Sequence, residues 1–246
     1  MHPILFKLGP LTFYSYGLML AIGFFVSTSL AARYARCIGT KITQDQLTNL
    51  CFSSFFAGIA GARTLYLLMN LDYYSVNPHE IIRLDHGGLI WYGGLVSGVI
   101  TASLYLRFHK LPFWEVGDTI APFLALAHAF GRIGCFLNGC CFGKPTHSIF
   151  GMYFPNRLIP IHPTQLYSAV GLFSIFFFLL LWRRWQKFTG EIILVYGFSY
   201  AAGRFGIEFL RGDNRPIWLG LTLSQFLSIP LAILCLTLWV RKRVSA

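Results

Sequence analysis

PTQLYSAVGLFSIFFFLLLW, residues 163–182, carries no charged side chain and stops at Arg183 and Arg184. A helix of about 20 apolar residues crosses the hydrocarbon core of a bilayer, so this stretch reads as a membrane span. Stretches of the same kind recur at about Tyr14 to Ala32, Leu47 to Met69, Gly88 to Leu106, Val116 to Phe136, Ile192 to Leu210 and Leu219 to Val240. Together they predict an all-α, polytopic membrane helical bundle of about seven transmembrane helices. No internal repeat and no long polar linker divides the chain, so residues 1–246 are expected to form a single integral-membrane domain.

Composition excludes the soluble alternatives. Hydrophobic residues make up 55% of the chain and charged ones 12%, about half the charged share of a soluble domain. A net charge of +11 would suit nucleic acid if it gathered on one face or tail, but here the basic residues sit between apolar spans, which points to no nucleic acid. Arg33, Arg36 and Lys41 follow the first apolar run rather than precede it, so that run is expected to be a retained span and not a cleaved signal. The connections after spans one, three, five and seven hold Arg33, Arg36 and Lys41, then Arg107 and Lys110, then Arg183, Arg184 and Lys187, then Arg241, Lys242 and Arg243. Positive charge marks the cytoplasmic side, which predicts a periplasmic N-terminus and a cytoplasmic C-terminus.

Arg63, Arg132 and Arg204 lie within or at the outer ends of spans two, four and six, where a mid-helix arginine costs about 2.5–3.5 kcal/mol. Each alone can snorkel or pair with a carboxylate, and Glu208 sits four residues after Arg204 on the same helical face. Taken together they share the outer leaflet with few acidic residues, and a lipid phosphate would supply the anion, because guanidinium binds phosphate oxygens bidentately and stays charged in apolar surroundings.

Tyr16, His86, Tyr92, Asn138, His162, Gln165 and Tyr200 crowd the same level; singly, each tyrosine also fits the interfacial aromatic belt. Paired glycines at 87–88 and 93–94, and Gly131, Gly134, Gly139 and Gly143 around Arg132, permit either close helix packing or backbone contact with an anion. Cys37, Cys51 and Cys235 sit in or beside apolar segments as small buried thiols, whereas Cys135, Cys140 and Cys141 cluster.

With these residues in hand, the chain resembles the prolipoprotein diacylglyceryl transferases almost end to end. The matching motifs are Leu8-Gly9-Pro10-Leu11 with Tyr16-Gly17-Leu18-Met19, Gly61-Ala62-Arg63, Gly131-Arg132-Ile133-Gly134 with Phe136-Leu137-Asn138-Gly139, His162 to Tyr167, and Tyr200 with Arg204, Glu208 and Arg211. The resemblance implies a bacterial inner-membrane enzyme that moves a diacylglyceryl group from phosphatidylglycerol to the lipobox cysteine of a prolipoprotein signal peptide, releasing glycerol phosphate. It implies no cofactor. It assigns Arg132 to the lipid headgroup and Arg204 to a second essential place, with Tyr16, Asn138, Tyr200 and Glu208 lining or bracing the site. Gln165, Arg63 and His86 are expected to join them in binding substrate.

Four positions, in three places, depart from the family pattern. Tyr92 stands where a His is usual, Cys135 and Cys140 where Asn and Glu are usual, and Ser168 where a Glu commonly follows the tyrosine of the fifth span. Attack by sulfur on a glyceryl carbon needs an ionised thiol and a stabilised phosphate leaving group. The expectation is that Arg132 and Arg204 supply most of the rate enhancement and that Tyr92 positions the acceptor. The alternatives are a divergent paralogue with another acceptor, a lipid-binding or channel protein, and a membrane thiol-redox protein using Cys135, Cys140 and Cys141 near His128 and His147. Those cysteines lack a C-x-x-C pair and match no common zinc spacing, so no metal is expected, and a bracing disulfide and free thiols both stay open.

Overall fold

The computed structural model describes residues 1–9, 11–81, 87–155, 157–212, 217–218 and 220–245. Among the described residues it is mainly helical, with an irregular, β-bridged segment between residues 139 and 163 and two short antiparallel hairpins that apolar-span reading does not detect. The first, β1 (Ile4–Leu8) with β2 (Leu11–Tyr14), leads into α1 (Ser15–Cys37). Then come α2 (Gln44–Leu68), a short α3 (Leu71–Val76), α4 (Trp91–Phe108), α5 (Phe113–Asn138), α6 (Thr164–Trp182) and α7 (Glu191–Glu208). The second hairpin, β3 (Ile217–Trp218) with β4 (Leu221–Thr222), feeds α8 (Leu223–Val244).

Each of the seven predicted stretches falls on one of the long helices. Ser15–Cys37, Gln44–Leu68, Phe113–Asn138, Thr164–Trp185 and Leu223–Val244 are long and apolar enough to cross a membrane. Helices α4 and α7, of 18 residues each, stand outside that set; α7 carries Glu191, Arg204 and Glu208 within its length.

Local chemistry sets the boundaries. Thr43 and Thr222 form capping boxes with Gln46 and Gln225, in which each side chain satisfies the other's backbone N–H, so α2 and α8 start there. Helix α4 starts at Trp91 rather than Gly88 because Gly87 and Gly88 take φ of +79° and +78°, a left-handed backbone that no α-helix continues.

The chain forms two compact units, residues 32–116 and residues 1–31 with 117–246. In the first, α2 and α4 cross through small residues: a Cβ on Gly61 would lie 1.8 Å from Ser97 Oγ, and one on Gly93 would lie 2.4 Å from the Gly61 carbonyl. Between helices in lipid, where no hydrophobic effect drives association, such close backbone contact supplies the packing energy.

In the second unit, Ala121, Leu179 and Ile192 form the fully buried centre, joining α5, α6 and α7. At one end of that unit buried Asp118 accepts from Gln186 Nε2 (2.6 Å), Gly190 N (2.6 Å) and Ile193 N (3.0 Å), tying α5 to the start of α7. A buried carboxylate is tolerated only with such partners. At the other end, the segment between α5 and α6 is stitched to its neighbours by Gly143 N to the His162 carbonyl (2.8 Å), His162 N to Lys144 (3.0 Å) and Lys144 N to Leu210 (2.8 Å).

Candidate active site

Within the unit of residues 1–31 and 117–246, a cleft of ≈ 450 Å³ opens between α5, α6 and α7, lined by His128, Arg132, Tyr167, Ser168, Tyr200 and Arg204 among others. The helical period builds it. His128 and Arg132 are four residues apart on α5, Tyr200 and Arg204 four apart on α7, so each helix sets a ring and an arginine one turn apart on one face. The rings of His128 and Tyr200 lie 5.3 Å apart and Tyr196 follows at 6.2 Å.

The two arginines keep different company. Arg204 Nη1 lies 2.7 Å from Glu208 Oε2 and its Nη2 donates to Ser224 Oγ at 2.7 Å; the Glu208 side chain is fully buried. Its charge is therefore balanced inside the fold. Arg132 is half-buried and, among the described residues, has no carboxylate within ion-pair distance. Among the described residues the Arg132 guanidinium in the cleft thus has no carboxylate partner, an arrangement that attracts an anion with phosphate-type oxygens.

Tyr16, in the first turn of α1, is 38% exposed and packs at Gly134, where a Cβ would meet its Cδ2 at 3.1 Å. It lies close enough to Arg132 and to Cys135, Cys140 and Cys141 to feel their charge. Asn138 ends α5 and is exposed. Gln165 is 1% exposed, and its Nε2 donates to the Cys140 carbonyl at 2.6 Å. His162 Nδ1 pairs with the Tyr167 hydroxyl at 3.2 Å. Of the expected site residues, Arg132, Arg204 and Tyr200 line the cleft and Glu208 pairs with Arg204, while Tyr16, Asn138 and Gln165 lie in the same unit but outside the lining.

Arg63 and Tyr92 belong to the other unit, and His86 lies outside the described residues. Arg63 is buried. Its Nε donates to Ile81 O (3.0 Å), Nη1 to Gly87 O (3.1 Å) and Gly88 O (3.2 Å), and Nη2 to Glu80 O (2.7 Å). The rings of Tyr66 and Tyr74 lie 5.7 and 5.4 Å from its guanidinium carbon. Four of the five N–H groups of an arginine are thereby used, so Arg63 is placed to brace the chain between α3 and α4. The glycine pair at 87–88 presents carbonyls to this arginine rather than N–H groups to an anion. Tyr92 occupies the first turn of α4, 39% exposed, edge-on to Trp91 at 5.3 Å.

Sequence reading grouped His128 with the cysteines. The fold separates them: among the described residues, the cluster of potential metal ligands holds Cys135, Cys140 and Cys141 and no histidine, while His128 lines the cleft two turns back along α5. Tyr167 and Ser168, which the family motif marks, line the cleft; Ser224 has no sequence signal, since an isolated hydroxyl in an apolar span carries no periodic pattern.

The family model described as prolipoprotein diacylglyceryl transferase matches residues 3–241. Among similar proteins, the phosphatidylglycerol–prolipoprotein diacylglyceryl transferase of Clostridium tetani is 36% identical over 234 residues, 93% of this chain and 93% of its own length. The protein of the same name from Bordetella parapertussis is 36% identical over 240 residues, 94% of this chain and 91% of its own. The one from Staphylococcus aureus strain JH9 is 32% identical over 253 residues, 99% and 90% respectively.

Proposed function

We propose that this chain, which belongs to the prolipoprotein diacylglyceryl transferase family, transfers the diacylglyceryl group of phosphatidylglycerol to the lipobox cysteine of a prolipoprotein signal peptide. Glycerol phosphate is the other product. The observation that carries the reading is Arg132 in the cleft of α5, α6 and α7, without a carboxylate partner among the described residues and set beside a second arginine whose charge is already balanced.

Bond breaking puts negative charge on the phosphate oxygen that leaves the glyceryl carbon. Arg132, fixed in place before the reaction, meets that charge, and an electrostatic contact of this kind is worth about 3–4 kcal/mol. Arg204 is held by Glu208 and Ser224 and holds the α7 wall in turn, while Tyr200 and Tyr16 line the headgroup's surroundings. Gln165 and Asn138 frame the outer end. Arg63 braces the α3–α4 connection, a role its four carbonyl contacts support, and Tyr92 is assigned to acceptor positioning by its place in the family motif.

The enzyme is read as one membrane domain of seven spans in the bacterial inner membrane, N-terminus periplasmic and C-terminus cytoplasmic. Lys242 Nζ donating to the Thr189 carbonyl at 3.1 Å supports that orientation, because it brings the basic end of α8 to the basic α6–α7 connection. The direct test is glycerol phosphate release when purified protein is given phosphatidylglycerol and a lipobox peptide. Release with thioether formation on the peptide is expected, and its absence under conditions in which the Clostridium tetani relative is active would leave lipid binding without lipobox transfer.

A further inference from the structure

We propose that Cys135, Cys140 and Cys141 form a three-sulfur site for a zinc-type divalent cation whose fourth coordination position takes the acceptor thiol; the second half rests on the transferase reading above. The sequence hides this site, because four residues separate the first cysteine from an adjacent pair. The fold recovers it. Helix α5 ends at Asn138, and Gly139 and Cys141 take φ of +73° and +64°, which turns the chain back on the helix end. Cys140 N then donates to the Cys135 carbonyl at 3.2 Å, and its Sγ, as a thiol, donates to the same carbonyl at 3.6 Å.

All three sulfurs consequently lie within 4.8 Å of one another, each partly buried. A tetrahedral ion with Zn–S bonds of about 2.3 Å needs sulfurs about 3.8 Å apart, within reach of a small rotation of each side chain. The backbone frame is fixed from α6: Thr164 Oγ1 donates to Cys141 O at 2.8 Å and Gln165 Nε2 to Cys140 O at 2.6 Å. A left-handed φ at a non-glycine residue is strained backbone that the surroundings must hold, and Cys141 carries it where its side chain joins the other two.

The chemistry of the donors selects the ligand. Thiolates without carboxylate or imidazole favour soft or borderline cations. A disulfide would use two sulfurs and leave the third idle, whereas mutual approach of all three is what one ion requires. Three thiolates and a divalent ion sum to one negative charge, which buried Arg211, interacting with Cys141, offsets. Among the described residues no fourth His, Cys or carboxylate joins the group, and three protein ligands with one open position is the pattern of catalytic rather than structural zinc.

What the open position would take follows from the neighbours. Cys135 lies three residues beyond Arg132 on α5, one face and a rise of about 4.5 Å away. The acceptor S–H would displace a water from the ion and release its proton to solvent. Its sulfur then forms the C–S bond to the glyceryl carbon as the C–O bond to phosphate breaks, and the electron pair departs on the glycerol phosphate held by Arg132. Nothing is oxidised or reduced. A free thiol of pKa about 8.5 is about 3% ionised at pH 7, so full ionisation on a metal raises the reactive fraction about thirtyfold.

The test uses reduced, full-length protein in lipid nanodiscs, titrated with Co²⁺ and with Zn²⁺. One equivalent of Co²⁺ is expected to give sulfur-to-cobalt charge-transfer absorption and intense tetrahedral bands, lost in Cys135→Ser/Cys140→Ser/Cys141→Ser. A lipobox peptide should shift those bands, and the same peptide with Ser for its Cys should not. Glycerol phosphate release is measured in parallel, and removing metal from the wild-type protein with a chelator should slow it about tenfold to thirtyfold without any substitution that could unfold the protein. Absence of stoichiometric, cysteine-dependent Co²⁺ absorption overturns the site, as does recovery of two of the three sulfurs in a disulfide that resists reduction. Peptide-independent spectra, or full-rate release in the presence of chelator, overturn the thiol role while leaving the transferase reading standing. Metal and thiol binding without any release, in every condition, overturns the transferase reading instead.

Discussion

Arg132 and Arg204 sit at matching places on neighbouring helices, yet their substitution should read out differently. Arg132→Lys keeps a charge but not the planar fork that grips two phosphate oxygens, so transfer is expected to fall about tenfold or more, and Arg132→Gln by about 10²–10³-fold; both proteins should melt near the wild-type temperature. Arg204→Gln strands the buried Glu208 carboxylate, and breaking one side of a buried pair costs about 3–5 kcal/mol. Its melting temperature should drop, and Arg204→Gln/Glu208→Gln should recover much of that drop without recovering activity. A double variant as unstable as the single one would show that the pair is not what Arg204 contributes to the fold. Tyr92 offers a third measurement: Tyr92→Phe should lower turnover measurably and Tyr92→His should retain activity with a pH profile moved to lower values, since imidazole titrates near pH 6.5 and a phenol near 10. Equal turnover of Tyr92→Phe and wild type removes the hydroxyl from the mechanism.

At the scale of helices, what the sequence made legible was what hydropathy and periodicity encode. The seven apolar stretches became long helices, and the i, i+4 spacing of Arg204 and Glu208 became an ion pair of 2.7 Å. The hairpin before α1 was missed because its strands are too short to register as apolar spans, whereas the Asp118 cap on α7 and the four carbonyls around Arg63, two of them on the left-handed Gly87 and Gly88, depend on contacts remote along the chain. The cysteine trio was visible as a cluster but not as a convergence, because a left-handed residue at Cys141 has no sequence signature. Three substitutions test the helix scale. Gly61→Ala adds a Cβ 1.8 Å from Ser97 Oγ, whereas at Gly206 an added Cβ meets nothing within 4 Å. Gly61→Ala should destabilise by about 1–3 kcal/mol, as overpacking does, and Gly206→Ala should leave the melting temperature unchanged or raise it. Asp118→Ala leaves the N–H groups of Gly190 and Ile193 without their acceptor, a loss of about 1–3 kcal/mol for each buried donor, read as earlier thermal unfolding in detergent.

Across the whole molecule the governing constraint is sidedness, since a site that meets exported lipoprotein precursors has to open on the face they reach. Within the unit of residues 1–31 and 117–246 the ends of the helices sort themselves. Thr164 at the start of α6 bonds to Cys141 just past the end of α5, and Ser224 in the first turn of α8 bonds to Arg204 near the end of α7. At the opposite end Asp118 near the start of α5 holds Gly190 at the start of α7, and Lys242 at the end of α8 holds Thr189. Arginines and lysines gather at that second end, in Arg183, Arg184, Lys187, Arg241, Lys242 and Arg243. The positive-inside bias predicts that this end lies in the cytoplasm and that Arg132, Tyr16, Cys135, Cys140 and Cys141 lie toward the periplasm. The expectation can be measured with paired reporters, one active only in the periplasm and one only in the cytoplasm. A fusion after Val244 should report cytoplasm and an insertion at Lys144 periplasm. Removing charge from the α6–α7 connection, with Arg183→Gln/Arg184→Gln/Lys187→Gln, should weaken but not invert the result, because three other basic connections still vote the same way. A periplasmic signal after Val244, or a cytoplasmic one at Lys144, would turn the cleft away from exported substrates, and the lipoprotein reading would fall with it.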